Sequence, residues 1–214
     1  MTMLDELSER LQEGDAAAVR ELTSRAIADR VDPAEILDRG LLAGMAVVGR
    51  RFRDREIFLP DVLLAARAMQ GAMGLLEPLL VGHAARSAGT VVIGTVSGDV
   101  HDIGKNLVGI MLQGAGFRVV DLGADVSPER FAEAAAAEHA DVVGMSALLT
   151  TTMTGMRDII DGLRQGAATA HVRTIVGGAP VTADFAREIG ADAYAPDAQH
   201  AVEGVRALVQ AGRS

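Results

Sequence analysis

The sequence predicts an α + α/β fold: a four-helix bundle over residues 1–84 and a linker over 85–89 precede a five-stranded, doubly wound parallel sheet over 90–214. Apolar residues recur every three or four positions up to about residue 83, which indicates helices. Short β-branched runs then alternate with helical stretches, a pattern typical of βαβ units with right-handed crossovers. The change of period therefore predicts two domains of different architecture.

Four helices joined by short turns are predicted in the N-terminal part, which indicates an antiparallel bundle. The first is closed by Gly14 and the second is capped by Asp15. The third begins at Asp32-Pro33, an N-cap with proline at the first helical position, and the fourth begins at Pro60. The residues expected to face inward are Leu4, Leu7, Leu11, Val19, Leu22, Ala26, Ile36, Gly40, Ala43, Val47, Val62, Ala65, Met69, Met73, Leu76 and Leu80.

The C-terminal part alternates five predicted strands with five predicted helices. The strands lie at 90–97, 117–123, 141–148, 172–178 and 191–195, and the helices at 104–114, 128–138, 152–164, 183–189 and 198–210. The expected strand order is 2-1-3-4-5, that of a flavodoxin-like, Rossmann-type domain. Ligands of such sheets bind beyond the carboxyl ends of the strands where the order reverses, here between the first and third strands.

Composition excludes several classes of function. The net charge of −9 argues against a nucleic-acid partner, because phosphate binding needs a basic surface. The sequence has no run of about 18 apolar residues and no signal-like N-terminus, so we expect a cytoplasmic protein without a membrane partner. Because the chain has no cysteine, disulfides, thiolate zinc sites and thiol nucleophiles are excluded.

The unusual residues of the second domain lie at the carboxyl ends of its predicted strands. In chain order they are Gly98–Asn106 after the first strand, Ser146 and Leu148 at the end of the third with Thr150 and Thr152 after it, Gly177 and Gly178 at the end of the fourth, and Ala198 after the fifth. A dinucleotide site is disfavoured because the glycines near the first strand lack GxGxxG spacing. A phosphoacceptor domain would need aspartate at Ser146, and the sequence contains no P-loop.

Asp99 and His101 suggest metal ligation. A carboxylate two residues from an imidazole can accept a hydrogen bond from one ring nitrogen and make the other a better ligand. One imidazole is too few for a zinc cage but suffices as the axial ligand of a metal held by a macrocycle. Gly177 and Gly178 would let backbone approach a bulky, flat ligand. A purely structural role for Asp99 and His101 is the alternative.

Three motifs resemble the signature of cobalamin (B12)-binding domains. Asp99-x-His101-x-x-Gly104 is followed after 41 residues by Ser146-x-Leu148, and after a further 28 by Gly177-Gly178. The resemblance implies a base-off cobalamin or related corrinoid, with His101 as the lower axial ligand of cobalt and the nucleotide tail threaded past the serine, leucine and glycines. The implied cofactor contacts are Val100, His101, Asp102, Ile103, Gly104, Ser146, Leu148, Thr150, Gly177, Gly178 and Ala198.

The same resemblance implies a proton relay beneath the metal. Methionine synthase has a serine six residues after the signature serine that bonds the Asp–His pair, and Thr152 stands at that position here. An Asp99–His101–Thr152 relay is therefore expected, in which protonation through Asp99 helps His101 to leave. A threonine is stiffer at χ1 than the serine of that family. Lys105, the sole lysine, is expected to contact loop or corrin amides.

The predicted bundle resembles the cap domain of methionine synthase and of corrinoid proteins from multi-component methyltransferases. The segment from Phe52 to Pro60, followed by Ala66-Arg67-x-Met69, carries this resemblance. Phe52 and Leu59, seven residues apart, match the cap residues that cover the upper corrin face. Ordinary core packing is the alternative, above all for Phe58. Because the resemblance covers roughly residues 4 to 210, we expect a free-standing carrier.

The resemblance implies a methyl carrier that is not catalytic alone. The cobalt would alternate between Co(I) cobalamin and methylcobalamin. The implied partners are a substrate:corrinoid methyltransferase, a methylcorrinoid:acceptor methyltransferase acting on tetrahydrofolate or coenzyme M, and a reductive activase. The sequence does not name the methyl donor.

Two other functions share the B12-binding domain. A cobalamin-dependent regulator or light sensor also has the helical cap, but it carries a DNA-binding domain for which we expect no room here. The B12 subunit of a carbon-skeleton mutase lacks the cap. Solvated or capping roles are expected for the remaining histidines, His83, His139, His171 and His200.

Overall fold

The computed structural model describes residues 2–80 and 88–212. The chain divides into two compact units: the helical unit, residues 1–86 with 113–116, and the sheet unit, residues 87–112 with 117–214. Residues 85–87 of the predicted linker lie outside the described residues, as does His83. The predicted boundaries at 84 and 90 therefore stay a prediction.

The first two helices of the helical unit begin at side-chain caps. Helix α1 (Met3–Gln12) opens with a capping box, in which the Thr2 hydroxyl accepts from the Asp5 amide and the Asp5 carboxylate accepts from the Thr2 amide. Helix α2 (Ala16–Ala28) begins at the predicted cap, Asp15. Of the predicted inward positions, Leu4, Leu7, Leu11, Val19 and Ala26 are buried and Leu22 is half-buried.

The predicted third helix is continuous but changes its winding in the middle. It consists of α3 (Pro33–Glu35), a π-helical stretch (Ile36–Leu42) and α4 (Ala43–Arg53). A π-helix has more residues per turn than an α-helix, so the buried face shifts along the sequence. The prediction that Ala43 faces inward is wrong, and Val47 is only half-buried. The buried residues after the π-helical stretch are Gly44, Met45, Val48 and Gly49.

Helix α5 (Leu59–Leu80) begins one residue before the predicted Pro60. Its predicted inward residues are buried except Met73, which is half-buried. Phe58 is 70% exposed, so core packing does not account for this side chain. None of the helices in the described ranges is both long and apolar enough to cross a membrane.

The sheet unit contains five parallel strands in the predicted order, β2-β1-β3-β4-β5. The strands are β1 (Thr90–Thr95), β2 (Arg118–Asp121), β3 (Val142–Ser146), β4 (Arg173–Gly177) and β5 (Ala193–Ala195). The helices are α6 (Ile103–Gly114), α7 (Pro128–Ala137), α8 (Gly155–Gln165), α9 (Ala183–Ile189) and α10 (Ala198–Gly212). The predicted fold class is confirmed.

Helices cover both faces of the sheet. On one face, residues of α7, α8 and α9 form a continuous core with Val92, Val143 and Val176 of the central strands. Neighbouring strand residues point to the other face, where Ile93 and Ile175 lie against glycines of α6 and α10. A Cβ on Gly94 would stand 2.6 Å from the Phe131 ring, so this glycine admits an aromatic core residue. The fold thereby leaves the loops at the carboxyl ends of the strands free to form a site.

Candidate functional site

The predicted site residues lie at the switch point of the sheet. Strands β1 and β3 are neighbours, and Thr95 is paired in register with Ser146 at their carboxyl ends. The loop after β1 carries Asp99 and His101, and residues 148–154 after β3 form turns before α8 begins. The helix predicted from residue 152 therefore begins later, and Thr152 lies in a turn that faces the Asp99 loop.

Asp99 is the hydrogen-bonding centre of this loop. Its side chain is fully buried, and each carboxylate oxygen has several partners. Oδ1 accepts from the His101 backbone amide at 3.0 Å and lies 2.8 Å from the His101 ring nitrogen Nδ1. Oδ2 accepts from the Leu148 amide at 2.7 Å and from the Thr152 hydroxyl at 2.8 Å. The Asp99 carboxylate thus joins the loops after β1 and β3.

The surroundings of Asp99 favour its ionised form. Burial alone would raise the pKa of the carboxyl group, because the charged form loses its hydration. Hydrogen bonds from the Leu148 and His101 amides, the His101 ring and the Thr152 hydroxyl outweigh burial and hold the Asp99 pKa well below its usual range. Asp99 is therefore a permanent acceptor, and a proton shared by the pair resides on the imidazole.

The position of His101 fixes the role of each ring nitrogen. An ionised carboxylate accepts hydrogen bonds but donates none, so Nδ1 carries the hydrogen, and in the neutral ring Nε2 has the lone pair. The His101 backbone carbonyl also accepts from the buried Thr95 hydroxyl at 3.0 Å. The His101 side chain is 48% exposed, so the ring remains accessible while its base is held. Within the described ranges, no group of three or more His, Cys, Asp or Glu could hold a metal.

Exposed apolar side chains surround this imidazole. Val100 and Ile103 are 74% and 78% exposed, and Leu148 after β3 is also exposed. A Cβ on Gly104 would meet nothing within 4 Å, so this glycine borders open space. A group of exposed large apolar residues marks a binding surface. One outward imidazole on an apolar surface fits a flat macrocycle whose metal needs a single axial ligand.

The remaining predicted cofactor contacts differ in accessibility. Ser146 is half-buried at the end of β3, Thr150 is exposed, and Ala198 is buried at the start of α10. Gly178 has φ +130°, and a Cβ there would stand 1.9 Å from the Ala147 carbonyl oxygen. The backbone directly after β3 thus requires glycine at position 178, with or without a ligand.

Lys105 has a different partner from the predicted one. Its side chain is buried, and Nζ donates to the Asp121 carboxylate at the end of β2 and to the Asn106 side-chain oxygen at 2.6 Å. The sequence predicted loop or corrin amides instead. Lys105 thus joins α6 to the end of β2, a strand that carries none of the predicted site residues.

The sequence prediction overlooked the segment after β2. The Asp125 amide donates to the Asp99 carbonyl at 3.0 Å, and the Asp125 carboxylate accepts from the Gly98 amide at 2.7 Å and from the Ser97 hydroxyl at 3.2 Å. An aspartate in a Gly-Ala-Asp turn signals only a turn, so spacing alone could not have found this contact.

Two predicted site residues belong to the helical unit. Phe52 is half-buried near the end of α4, and Leu59 is partly exposed at the first position of α5. The turn between them is held by its own contacts, since the Asp61 carboxylate accepts from the Phe58 amide at 2.8 Å. The predicted covering of a cofactor by Phe52 and Leu59 stays a prediction.

The other histidines have local surroundings. His200 Nδ1 lies 2.8 Å from the Asp197 carboxylate, which also accepts from the His200 amide at the start of α10. Burial opposes ionisation of Asp197, but these hydrogen bonds lower the pKa of its carboxyl group. The side chain that caps α10 is thus Asp197, and the solvated or capping role expected for His200 stays a prediction. His139 follows α7 with a left-handed backbone, and His171 is exposed.

Comparison with known proteins agrees with this geometry. One model of the B12 binding domain matches residues 89–206, and a second with the same description matches residues 3–77. A corrinoid protein of Desulfitobacterium hafniense is 41% identical, covering 95% of both chains. A dimethylamine corrinoid protein of Methanosarcina acetivorans is 44% identical, covering 97% of both. A chain of the methanol:cobalamin methyltransferase complex MtaBC from Methanosarcina barkeri has a TM-score of 0.86 and 32% identity, covering 97% of this chain and 80% of that one.

Proposed function

Because the chain belongs to the B12-binding corrinoid proteins of methyltransferase systems, we propose that it carries a methyl group between a substrate-specific methyltransferase and a methyl acceptor. The observation that carries the proposal is the Asp99–His101 pair, which presents Nε2 of a tautomer-fixed imidazole among exposed apolar side chains. When bound, the corrinoid supplies the chemistry, because its cobalt takes up a methyl group and releases it. His101 is the proposed lower axial ligand.

Asp99 and Thr152 set the properties of that ligand. The carboxylate keeps the hydrogen on Nδ1 and adds electron density to the ring, which strengthens Nε2 as a donor. The Thr152 hydroxyl donates to Asp99, a contact that supports the relay expected from the sequence. Because several hydrogen bonds converge on the Asp99 carboxylate, we assign to Asp99 the role of acceptor in the relay. A ring nitrogen that carries a proton cannot bind a metal, so protonation at Nε2 would release the ligand.

The other proposed contacts surround the two ends of the cofactor. The proposed contacts next to His101 in the sequence are Val100, Asp102, Ile103 and Gly104. The residues assigned to the nucleotide tail are Ser146, Leu148, Thr150, Gly177, Gly178 and Ala198. The exposure of Val100 and Ile103 supports contact with the corrin ring, and the exposure of Leu148 supports contact with the nucleotide tail. Phe52 and Leu59 are assigned to shielding the upper face, and their partly exposed positions at adjacent helix ends support that role.

We assign the transfer reactions themselves to partner proteins. The similarity to a dimethylamine corrinoid protein and to a chain of a methanol methyltransferase complex favours a small methylated amine or methanol as donor. A methyltransferase acting on tetrahydrofolate or coenzyme M would receive the methyl group, and a reductive activase would restore the reduced cofactor. The cytoplasmic location and the absence of nucleic-acid and membrane partners stay predictions.

The test is spectroscopic and uses the purified full chain. Hydroxocobalamin should bind in one equivalent and give the spectrum of base-off cobalt(III) with a histidine ligand. His101→Ala should lose that spectrum. His200→Ala is the matched control, because His200 is also 48% exposed and also lies 2.8 Å from an aspartate. A spectrum that His101→Ala leaves unchanged would remove the ligand assignment. Light-sensitive tetramers formed with adenosylcobalamin would instead indicate the sensor function.

A further inference from the structure

The loop that carries His101 is held from the side of β2 as well as from β3. Asp99 joins it to the segment after β3, through the Leu148 amide and the Thr152 hydroxyl. On the opposite side lies the segment 121–126, which continues from β2. The three motifs that resemble the B12-binding signature lie after β1 and at the ends of β3 and β4, and none of them includes this segment.

The segment 121–126 is anchored at both ends. At its start the Asp121 carboxylate accepts from the buried Lys105 ammonium and from the Gly123 amide. In its middle the Gly123 carbonyl accepts from the Thr95 amide at 3.0 Å. At its end Val126 forms a parallel bridge with Val96. A half-buried, charge-assisted bond and strand-like pairing make the segment a fixed support for a neighbouring loop.

Asp125 is the residue through which this support reaches the His101 loop. Its amide donates to the Asp99 carbonyl, and its carboxylate accepts from the Gly98 amide and the Ser97 hydroxyl. These three bonds hold both sides of the turn that ends in Asp99. Asp99 in turn fixes the His101 ring, so Asp125 acts one step behind the proposed ligand.

The backbone of Asp125 adds an independent observation. Four non-glycine residues in the described ranges have positive φ, and Arg30, Arg55 and His139 all follow a helix end directly. Asp125, with φ 56°, instead lies between β2 and α7. A left-handed backbone disfavours most residues with a side chain but is tolerated by Asp, Asn and Gly. Asp125 can therefore hold this conformation while its carboxylate bonds to the Ser97–Asp99 turn.

We propose that Asp125 is a positioning residue for the axial-ligand loop, which holds the Ser97–Asp99 turn so that His101 meets the cobalt in its ligating orientation. This inference rests on the proposed function, in which His101 is the ligand. Loss of the Asp125 carboxylate should loosen the turn without removing any cofactor contact. The fraction of corrinoid with histidine bound should then fall, although corrinoid still binds.

The experiment loads the full chain with cob(II)inamide, which lacks the nucleotide base, so any lower nitrogen ligand must come from the protein. The nitrogen splitting in the electron paramagnetic resonance spectrum gives the ratio of histidine-bound to histidine-free cobalt. Asp125→Gly relieves the backbone strain but removes the acceptor, and this ratio should fall about fivefold, the effect of losing hydrogen bonds of ordinary strength. Asp125→Asn keeps an acceptor and tolerates a left-handed backbone, so it should retain the wild-type ratio.

His139→Gly is the matched control, because it makes the same backbone change at a helix end outside the site. It should leave the ratio unchanged. A wild-type ratio in Asp125→Gly, or a fall of the same size in His139→Gly, would overturn the positioning role. If wild type shows no nitrogen splitting, or His101→Ala retains it, the proposed ligand fails instead. The two failures are therefore distinct.

A second measurement needs no cofactor. Amide hydrogen exchange at Leu148, which bonds to Asp99 rather than to Asp125, reports whether Asp125 positions the Asp99 carboxylate. Exchange at Leu148 should be about fivefold faster in Asp125→Gly than in Asp125→Asn. Equal exchange in the two variants would contradict the proposal even if both bound corrinoid poorly.

Discussion

Replacement of Asp99 by asparagine should change both the tautomer of His101 and the stability of the sheet unit. The substitution keeps the shape of the side chain but turns one acceptor oxygen into an NH2 donor. Both carboxylate oxygens face donors: the Leu148 amide and Thr152 hydroxyl on one side, the His101 amide and ring on the other. Whichever way the amide is turned, its NH2 group opposes at least one backbone N–H.

The free-energy cost follows from the burial of these groups. Asp99 is 0% exposed, so a mispaired donor cannot turn to water. Loss of charge-assisted bonds and one unsatisfied buried donor should lower the free energy of unfolding by about 3 kcal/mol. With a urea slope of about 2.5 kcal/mol/M, the unfolding midpoint should fall by about 1.2 M. Asp197→Asn is the control, because Asp197 makes a similar histidine pair on the surface, and its midpoint should change by less than about 0.4 M.

The tautomer is read by nitrogen-15 NMR of the imidazole at a pH where the ring is neutral. In the wild type, the hydrogen should reside on Nδ1, because the carboxylate accepts there. In Asp99→Asn, with the amide NH2 turned toward the ring, it should move to Nε2 and block the lone pair proposed to bind cobalt. An unchanged tautomer together with an unchanged urea midpoint would refute the assignment of Asp99 as the group that orients His101.

Three further predictions concern the sheet unit. Gly178→Ala should lower the free energy of unfolding by more than about 3 kcal/mol, because the added Cβ would stand 1.9 Å from the Ala147 oxygen. Gly162→Ala is the control and should raise the free energy of unfolding by about 0.5–1 kcal/mol, because the space around its Cβ is open. The free energy of unfolding should be higher in wild type than in Asp99→Asn, by the full difference above the unfolded carboxyl pKa of about 3.9 and by less at lower pH, because the folded-state pKa of Asp99 is depressed. Urea unfolding at a series of pH values measures this difference, and a difference that widens on acidification would contradict the expected sign. Phe131→Ala should cost about 3–5 kcal/mol in urea unfolding, since the ring is fully buried, and a loss below about 1 kcal/mol would show that the core collapses around it.

The order of strands and helices was predictable because each element carries its own local pattern. Buried parallel strands have β-branched runs between glycines, and the helix starts at Asp15, Asp32 and Ser127 carry capping side chains that the structure also shows. The switch point then follows from topology alone. Topology therefore predicts that the loops carrying Asp99, His101 and Thr152 meet, and the resemblance to methionine synthase implies the relay among these three residues.

The inward face after Gly40 was not predictable from the same pattern. A regular period of 3.6 residues places Ala43 inward, but the π-helical stretch moves the buried face to Gly44 and Val48. Gly40 and Gly44 lie directly against Leu7 and Leu11 of α1, where a Cβ would come within 2.5 and 2.8 Å. The winding thus depends on packing against α1, and this packing cannot be read from the periodicity of one helix.

Long-range polar contacts were the other part that the sequence could not supply. Lys105 and Asp121 are 16 residues apart, and Asp125 bonds to a loop 27 residues before it. No spacing rule links such residues, because their proximity depends on the register of β1 with β2. The sequence therefore predicts the loop that carries His101 as a site, but not the segment 121–126 that holds this loop.

The burial of Lys105 has a practical consequence for studies of the transfer complex. It is the sole lysine among 214 residues, and its ammonium group is enclosed by the Asp121 and Asn106 side chains. Amine-reactive cross-linkers would therefore have almost no accessible target on this chain except its terminal amino group. If such a reagent failed to link the chain to a methyltransferase, the result would not be evidence against binding. For carboxylate-directed reagents, the sequence offers 29 acidic side chains as possible targets. Because the chain has no cysteine, a single introduced thiol would carry a dye or spin label at one known position.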